Sequence, residues 1–155
     1  MLGRIFPKQL DNDYRGYSLA IFLLALIVLA KVAISVNTIV NTRFVIETAD
    51  HVPLDSFGAG AAATIVFLFK AWGLAHLLLA ALGLLAMIRY RAMIPLAYLV
   101  LLLEHIGRKT FIMIAPVPIA SSGSEPSLAF VINLLLLGGM LIGFALSQSP
   151  AQRRA

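Results

Sequence analysis

The sequence predicts an all-α membrane protein: a four-transmembrane-helix up-down bundle with both termini in the cytoplasm. Three observations predict this class. Of the 155 residues, 61% are hydrophobic and only 12% are charged, which leaves too little polar surface for a water-soluble domain. The apolar residues gather into four long segments. The basic residues outside those segments fall almost entirely on one side of the predicted bundle.

Each apolar segment is long enough to cross a hydrocarbon core of about 30 Å, because an α-helix rises about 1.5 Å per residue. We expect helices at about 17–40, 59–88, 92–114 and 128–146 that form a single domain over residues 1–155. The link between the second and third helices is short, so these two should form an antiparallel hairpin. No small-x-small cleavage site follows the first segment, and we expect it to remain as a span rather than act as a signal peptide.

The orientation follows from the positions of lysine and arginine. Seven basic residues lie on the side that carries both termini: Arg4, Lys8, Arg15, Arg89, Arg91, Arg153 and Arg154. The two opposite loops contain Arg43 together with four acidic residues. Because basic residues concentrate in cytoplasmic loops, this asymmetry predicts cytoplasmic termini and a location in a bacterial cytoplasmic (inner) membrane.

Composition and motifs also exclude several classes of function. The chain has no cysteine, which rules out disulfides, thiolate metal sites and iron–sulfur clusters. Its net charge of +5 comes from residues at helix ends and inside apolar segments, without the basic runs that bind nucleic acid. The sequence contains no GxSxG, HExxH or phosphate-binding glycine loop. We therefore predict a protein that is not an enzyme, has no metal site and does not bind nucleic acid.

Polar residues that interrupt the apolar segments are the candidates for function, because an ionisable group near the bilayer centre costs about 2.5–3.5 kcal/mol. Helical rise places one from each helix about 22 Å from the cytoplasmic face, roughly two-thirds of the way across. We call this set the polar layer, and its members are Lys31, His76, Glu104, His105, Arg108 and Asn133. Lys70 and Lys109 either join it or extend their ammonium groups to the interface.

Two readings of the charged residues in the polar layer follow from their spacing. Glu104 and Arg108 are four residues apart on one helix, so they can form an ion pair that fixes helix packing. Alternatively, Glu104 is a proton relay or a ligand contact. Lys31, Glu104 and Arg108 together leave an excess positive charge, which requires an anion: a lipid phosphate, a ligand carboxylate or an acidic residue of a partner.

The two histidines of the polar layer have matched depth on the predicted hairpin. They either hydrogen-bond within the bundle or serve as cofactor ligands. Imidazoles from facing helices suit the two axial positions of a b-type haem, and one alone could ligate the magnesium of a chlorophyll-type pigment. His76 and His105 could also frame a quinone.

Small residues predict where helices approach closely. On the second helix Gly73, His76, Ala80 and Gly83 repeat at helical spacing, so this face should contact another helix. On the fourth helix Gly139 and Gly143 form a GxxxG motif. That motif serves packing within the bundle or an interface with another chain.

These observations favour a small non-enzymatic inner-membrane protein, a subunit or accessory protein of a larger membrane assembly. Its polar layer would hold a lipid, a quinone or a partner residue, and its partners would be membrane lipids and other membrane chains or a second copy of itself. The alternative is a haem-, pigment- or quinone-binding redox module that uses His76 and His105. In length and helix number the chain is similar to small bacterial inner-membrane proteins such as the DoxX-like family, a likeness of plan that assigns no residue roles.

Overall fold

A computed structural model describes residues 2–7, 9–114 and 128–149. Three of the basic residues that predict the orientation, Lys8, Arg153 and Arg154, lie outside this part. The described residues form six α-helices and two short 3-10 helices and contain no strand. The helices are α1 (Leu2–Ile5), α2 (Ser18–Val40), α3 (Thr42–Thr48), α4 (Ala59–Ile88), α5 (Ile94–Ile114) and α6 (Leu128–Gln148), with 3-10 turns at Leu54–Ser56 and Arg91–Met93.

Three of these helices, α2, α4 and α6, are long and apolar enough to cross a membrane. The helix α5 is as long as α6, at 21 residues, but it carries the charged residues Glu104, Arg108 and Lys109. The prediction of an all-helical protein is thus confirmed for the part of the chain that the structure describes, and three of its helices have the length and composition of membrane spans. The four long helices begin and end within two residues of the predicted positions.

The four long helices pack side by side in the cyclic order α2, α4, α5, α6. Two backbone hydrogen bonds tie together one end of this bundle. The amide of Tyr17, just before α2, donates to the carbonyl of Leu146 in the last turn of α6 at 3.3 Å. The amide of Ala92, in the α4–α5 turn, donates to the carbonyl of Asp11 at 3.3 Å. Neighbouring helices are therefore antiparallel.

The opposite end of the bundle, which we call the α3 end, carries a helix where the sequence predicts a loop. Helix α3 buries Val45 and Ile46 and exposes Phe44. Behind it, His51 adopts a φ of 54°, a left-handed conformation that lets the chain reverse. Ile46, Val52 and Leu54 then form a small apolar cluster against α4. This cluster holds α3 and the turn after it against α4.

The main apolar core lies between the α3 end and the α4–α5 turn. It consists of buried residues from all four long helices: Ala20, Leu24, Ile27, Val28, Ala80, Ile94, Tyr98, Leu101, Leu102 and Met140. Tyr98 is fully buried, and its hydroxyl donates to the carbonyl of Ala20 at 2.7 Å. The outer surface is also apolar, with Phe67 and Leu135 about two-thirds exposed at 67% and 70%. An apolar outer surface is what a lipid-embedded bundle requires.

Glycines allow the close helix contacts that surround this core. A methyl group added at Gly143 would overlap the ring of Tyr98, and one at Gly139 would lie 3.6 Å from Ile27. The GxxxG motif is therefore in use inside the bundle. A methyl group at Gly73 would lie 2.9 Å from Ile39, as expected for a face that meets another helix.

The contact between Gly143 and Tyr98 gives a direct test of this packing. We expect Gly143→Ala to destabilise the protein by about 1–3 kcal/mol, because the added methyl group overpacks the core and displaces Tyr98. Gly138→Ala is the matched control, since a methyl group there meets nothing within 4 Å. Thermal unfolding in detergent measures both variants, and equal stabilities would contradict the packing described.

Candidate functional site

The carboxylate of Glu104 is the centre of the polar layer. Its Oε2 accepts a hydrogen bond from Lys31 Nζ at 2.7 Å, and its Oε1 lies 2.5 Å from His76 Nε2. One side chain of α5 is thereby joined to α2 and α4. The expected ion pair with Arg108 is also present, but it is longer, with Arg108 Nε at 3.7 Å from Oε1. The structure thus adds Lys31 and His76 as the close partners of Glu104.

Lys31 is only 3% exposed, so it does not extend its ammonium group to the surface. It belongs to a buried polar stripe that runs along α2 through Ser35 and Thr38 and reaches Thr42 at the start of α3. The three hydroxyls donate to backbone carbonyls three or four residues earlier in the chain, at 2.6–3.0 Å. Because those hydroxyl protons are already used, the ammonium group supplies the positive charge and the free donors on this face of α2.

Arg108 reaches toward α6 and α4. Its Nη2 donates to Asn133 Oδ1 at 3.0 Å, and the amide nitrogen of Asn133 donates to the carbonyl of Ala129 at 2.7 Å. The guanidinium carbon lies 5.3 Å from the centre of the Trp72 ring, within the range of a cation–π interaction. The Nε atom is buried and has no hydrogen-bond partner in the described part of the chain.

Trp72 is the only tryptophan in the sequence, and it packs against two members of the polar layer. Its ring centre lies 4.6 Å from that of His76 and below the guanidinium of Arg108. Trp72 is not among the site residues that the sequence predicts. The available signal was its position four residues before His76, which places both on one face of α4.

These side chains surround a cavity of about 440 Å³ at the α3 end, which we call the polar-layer cavity. Its charged and polar lining includes Lys31, His76, His105, Arg108, Asn133 and Asp50. Its apolar lining comes chiefly from α2, α3 and α6, and includes Ile34, Val45, Ile132 and Leu136. The cavity therefore combines a strongly polar wall with a larger apolar one, which is the usual design of a small-molecule site.

The two histidines both line the polar-layer cavity, but their environments differ. His76 is held by Glu104 through Nε2. His105 is buried, at 2% exposure, and no side-chain hydrogen bond ties it to another described residue. His76 is thus already engaged, whereas His105 presents its ring to the cavity.

Asp50, one of the four acidic residues in the loops opposite the termini, also lines the cavity. It follows α3 and lies outside the long helices. Burial raises the pKa of its carboxyl group, although the charges of Arg108, Lys109 and His51 act in the opposite direction. A carboxylate is therefore present beside the cations, but in a poorly solvated position that disfavours its charge.

The fixed charges of the polar layer do not balance. Lys31 and Arg108 contribute two positive charges against the one negative charge of Glu104. Lys109 is half-buried near Asp50, while Lys70 is exposed on the outer face of α4. The wall of the cavity is consequently positive, with Asp50 as the acidic group at its margin.

No protein-family model, curated protein or solved structure matches this chain. The chemistry of the polar-layer cavity is therefore the basis for assigning a function.

The Lys31–Glu104 pair gives a test of the polar layer as a structural unit. We expect Glu104→Gln to destabilise the protein by about 3–5 kcal/mol, because it leaves the buried ammonium group of Lys31 without its anion. Lys31→Met combined with Glu104→Gln should recover a large part of this loss, since both charges are then absent. Thermal unfolding in detergent, followed by Trp72 fluorescence, measures the double-mutant cycle. Additive effects of the two substitutions would show that the residues are not coupled.

Proposed function

We propose that this protein is a small non-enzymatic membrane subunit or accessory protein that holds a polar ligand group in the polar-layer cavity. Candidate ligands are a lipid, a quinone or a residue of a partner chain. The observation that carries the proposal is the unbalanced positive charge on the wall of a 440 Å³ cavity that is otherwise largely apolar. Both oxygens of Glu104 are engaged by Lys31 and His76, which favours a positioning role for this carboxylate over acid–base chemistry.

The proposal includes four spans, with α5 as the third. Contacts along the length of α5 support this. Tyr98 meets Gly143 of α6 near one end of the helix, and Arg108 meets Asn133 of α6 near the other. The charge of Glu104 is compensated by Lys31 of α2, so that the cost of placing it in a membrane is reduced by pairing with a neighbouring helix.

The proposed orientation has both termini in the cytoplasm of a bacterial cell, with the α3 end toward the outside. The distribution of lysine and arginine supports it. In this orientation the polar-layer cavity lies in the outer part of the membrane, between the helices and beneath α3.

The alternative function, a redox module with haem or a pigment, has less support. Axial ligation needs a free imidazole nitrogen on each histidine, oriented toward the metal. Because His76 Nε2 lies 2.5 Å from Glu104, only its Nδ1 is left for a metal, and the cationic Arg108 lies beside the same space, which disfavours an apolar ring there. The residues present therefore fit a charged ligand group better than a pair of haem ligands.

The four-span topology can be tested by single-cysteine labelling, because the natural chain contains no cysteine. We expect Asn12→Cys and Ser149→Cys to react from the cytoplasmic side and Glu47→Cys from the opposite side, since four crossings return the chain to its starting side. A membrane-impermeant maleimide, applied to intact and to permeabilised cells, measures accessibility. Labelling of Ser149→Cys in intact cells would indicate three crossings and contradict the proposal.

Purification under gentle conditions tests the binding role. We expect native electrophoresis to show the 16.7 kDa chain in a larger assembly, and mass spectrometry to find a retained lipid, quinone or partner chain. A visible Soret band that is lost in His105→Ala would favour the haem alternative. A lone monomer with no retained molecule would contradict the proposed function.

A further inference from the structure

We infer that the polar-layer cavity binds an acidic amphiphile: a carboxylate or phosphate head group on Arg108, with an apolar tail along the opening between α2 and α6. This inference rests on the proposed function and narrows its ligand to one chemical class. Its three components are the unused donors of Arg108, the charge balance of the cavity and the shape of its apolar wall.

The head group follows from the hydrogen bonding of Arg108. A guanidinium has five N–H donors, and the side-chain hydrogen bond seen among the described residues uses one of them, from Nη2 to Asn133. The buried Nε has no partner in that part of the structure, and a buried unpaired donor is costly. A carboxylate or phosphate can accept two parallel hydrogen bonds from the guanidinium fork, which a neutral carbonyl oxygen cannot do.

The charge of the head group follows from the surrounding ions. Glu104 lies close to Lys31 and His76, so it does not form a hydrogen-bonded pair with Arg108, whose Nε is 3.7 Å away. Asp50 is the remaining carboxylate in the cavity lining, and its one negative charge, which burial disfavours, is shared between Arg108 and Lys109. A bound anion would balance the positive charge of Arg108 at short range, whereas a quinone or another neutral ligand would leave it in place.

The apolar tail follows from the way α2 and α6 separate. The two helices are close together at Ile27 and Gly139, where a methyl group added to the glycine would lie 3.6 Å from the isoleucine side chain. Two turns closer to the α3 end, Ile34 of α2 and Ile132 of α6 line the polar-layer cavity instead. The lining residues nearest the outer surface there, Phe44 and Leu128, are 63% and 75% exposed. An apolar chain held at Arg108 could thus pass between α2 and α6 into the surrounding lipid.

The volume agrees with this ligand class. Small-molecule sites in proteins commonly enclose about 300–1,000 Å³, and the cavity of about 440 Å³ can take a head group and the first part of a tail. A free inorganic anion would occupy the positive wall but leave the apolar wall uncovered. The tail should therefore contribute to affinity.

The test uses the full chain in nanodiscs of phosphatidylcholine at pH 8, with the fluorescence of Trp72 as the signal. Five probes are titrated: decanoate, decyl phosphate, decanol, ubiquinone-1 and inorganic phosphate. We expect saturable changes with decanoate and decyl phosphate, because the head group binds beside Trp72. Decanol lacks the charge and inorganic phosphate lacks the tail, so both should bind at least tenfold more weakly.

Two variants of opposite expected sign make the test independent of protein stability. Arg108→Gln should weaken the binding of decyl phosphate at least tenfold, because the charged bidentate contact is lost. Asp50→Asn should strengthen it severalfold, because this substitution removes a competing negative charge near Arg108. Gly138→Ala is the control and should bind as the natural chain does, since a methyl group there meets nothing within 4 Å and Gly138 does not line the cavity. Weakening in both Arg108→Gln and Asp50→Asn would overturn the inference.

The outcomes separate this inference from the proposed function. If decanol or ubiquinone-1 binds as tightly as decyl phosphate, the acidic-ligand inference fails while the cavity remains a binding site. If inorganic phosphate binds as tightly as decyl phosphate, the assignment of an apolar tail fails. If a co-purified chain blocks every probe, the ligand is a partner residue and the inference is overturned. If no probe binds and mass spectrometry finds no retained molecule, both the inference and the proposed function fail.

Discussion

The arrangement of the α3 end depends on one carboxylate. Glu104 brings an ammonium group from α2 and an imidazole from α4 to α5, with hydrogen-bonding distances of 2.7 and 2.5 Å. The closest contacts of Glu104 are with Lys31 and His76, and Arg108 makes its hydrogen bond to Asn133 and packs on Trp72. The cavity is the space that remains between these two groups of contacts and the apolar side chains of α2, α3 and α6. Helix packing and the chemistry of the site therefore have the same origin.

The helices were the most predictable part of the molecule. Their bounds depend on runs of apolar residues interrupted by turn residues, and both features are local properties of the sequence. Helical rise was also enough to predict that Lys31, His76 and Glu104 share one level, since depth along a straight helix depends on residue count alone. The spacing of Lys31, Ser35 and Thr38 likewise predicts that they share one face of a helix.

The pairings within that level could not be predicted, because they depend on the rotation of each helix and on its neighbours. Spacing along α5 suggested Arg108 as the partner of Glu104, but the cyclic order of the helices brings Lys31 closer. The GxxxG motif was equally compatible with an external interface until Tyr98 was located opposite Gly143. Asp50 lines the cavity because α3 and the turn after it pack against α4, a long-range contact that a seven-residue segment does not encode by itself.

The Lys31–Glu104 contact also has a consequence for how the chain is made. Synthesis proceeds from the N-terminus, so in the proposed topology α2 and its buried ammonium group enter the membrane two helices before Glu104 leaves the ribosome. The helix α5 carries too much charge to be a favourable insertion substrate alone, but it meets a counter-ion already in position. Lys31 is therefore without its partner until Glu104 is inserted, whereas Glu104 finds its partner already in place. The linear order of the helices thus becomes part of the folding information.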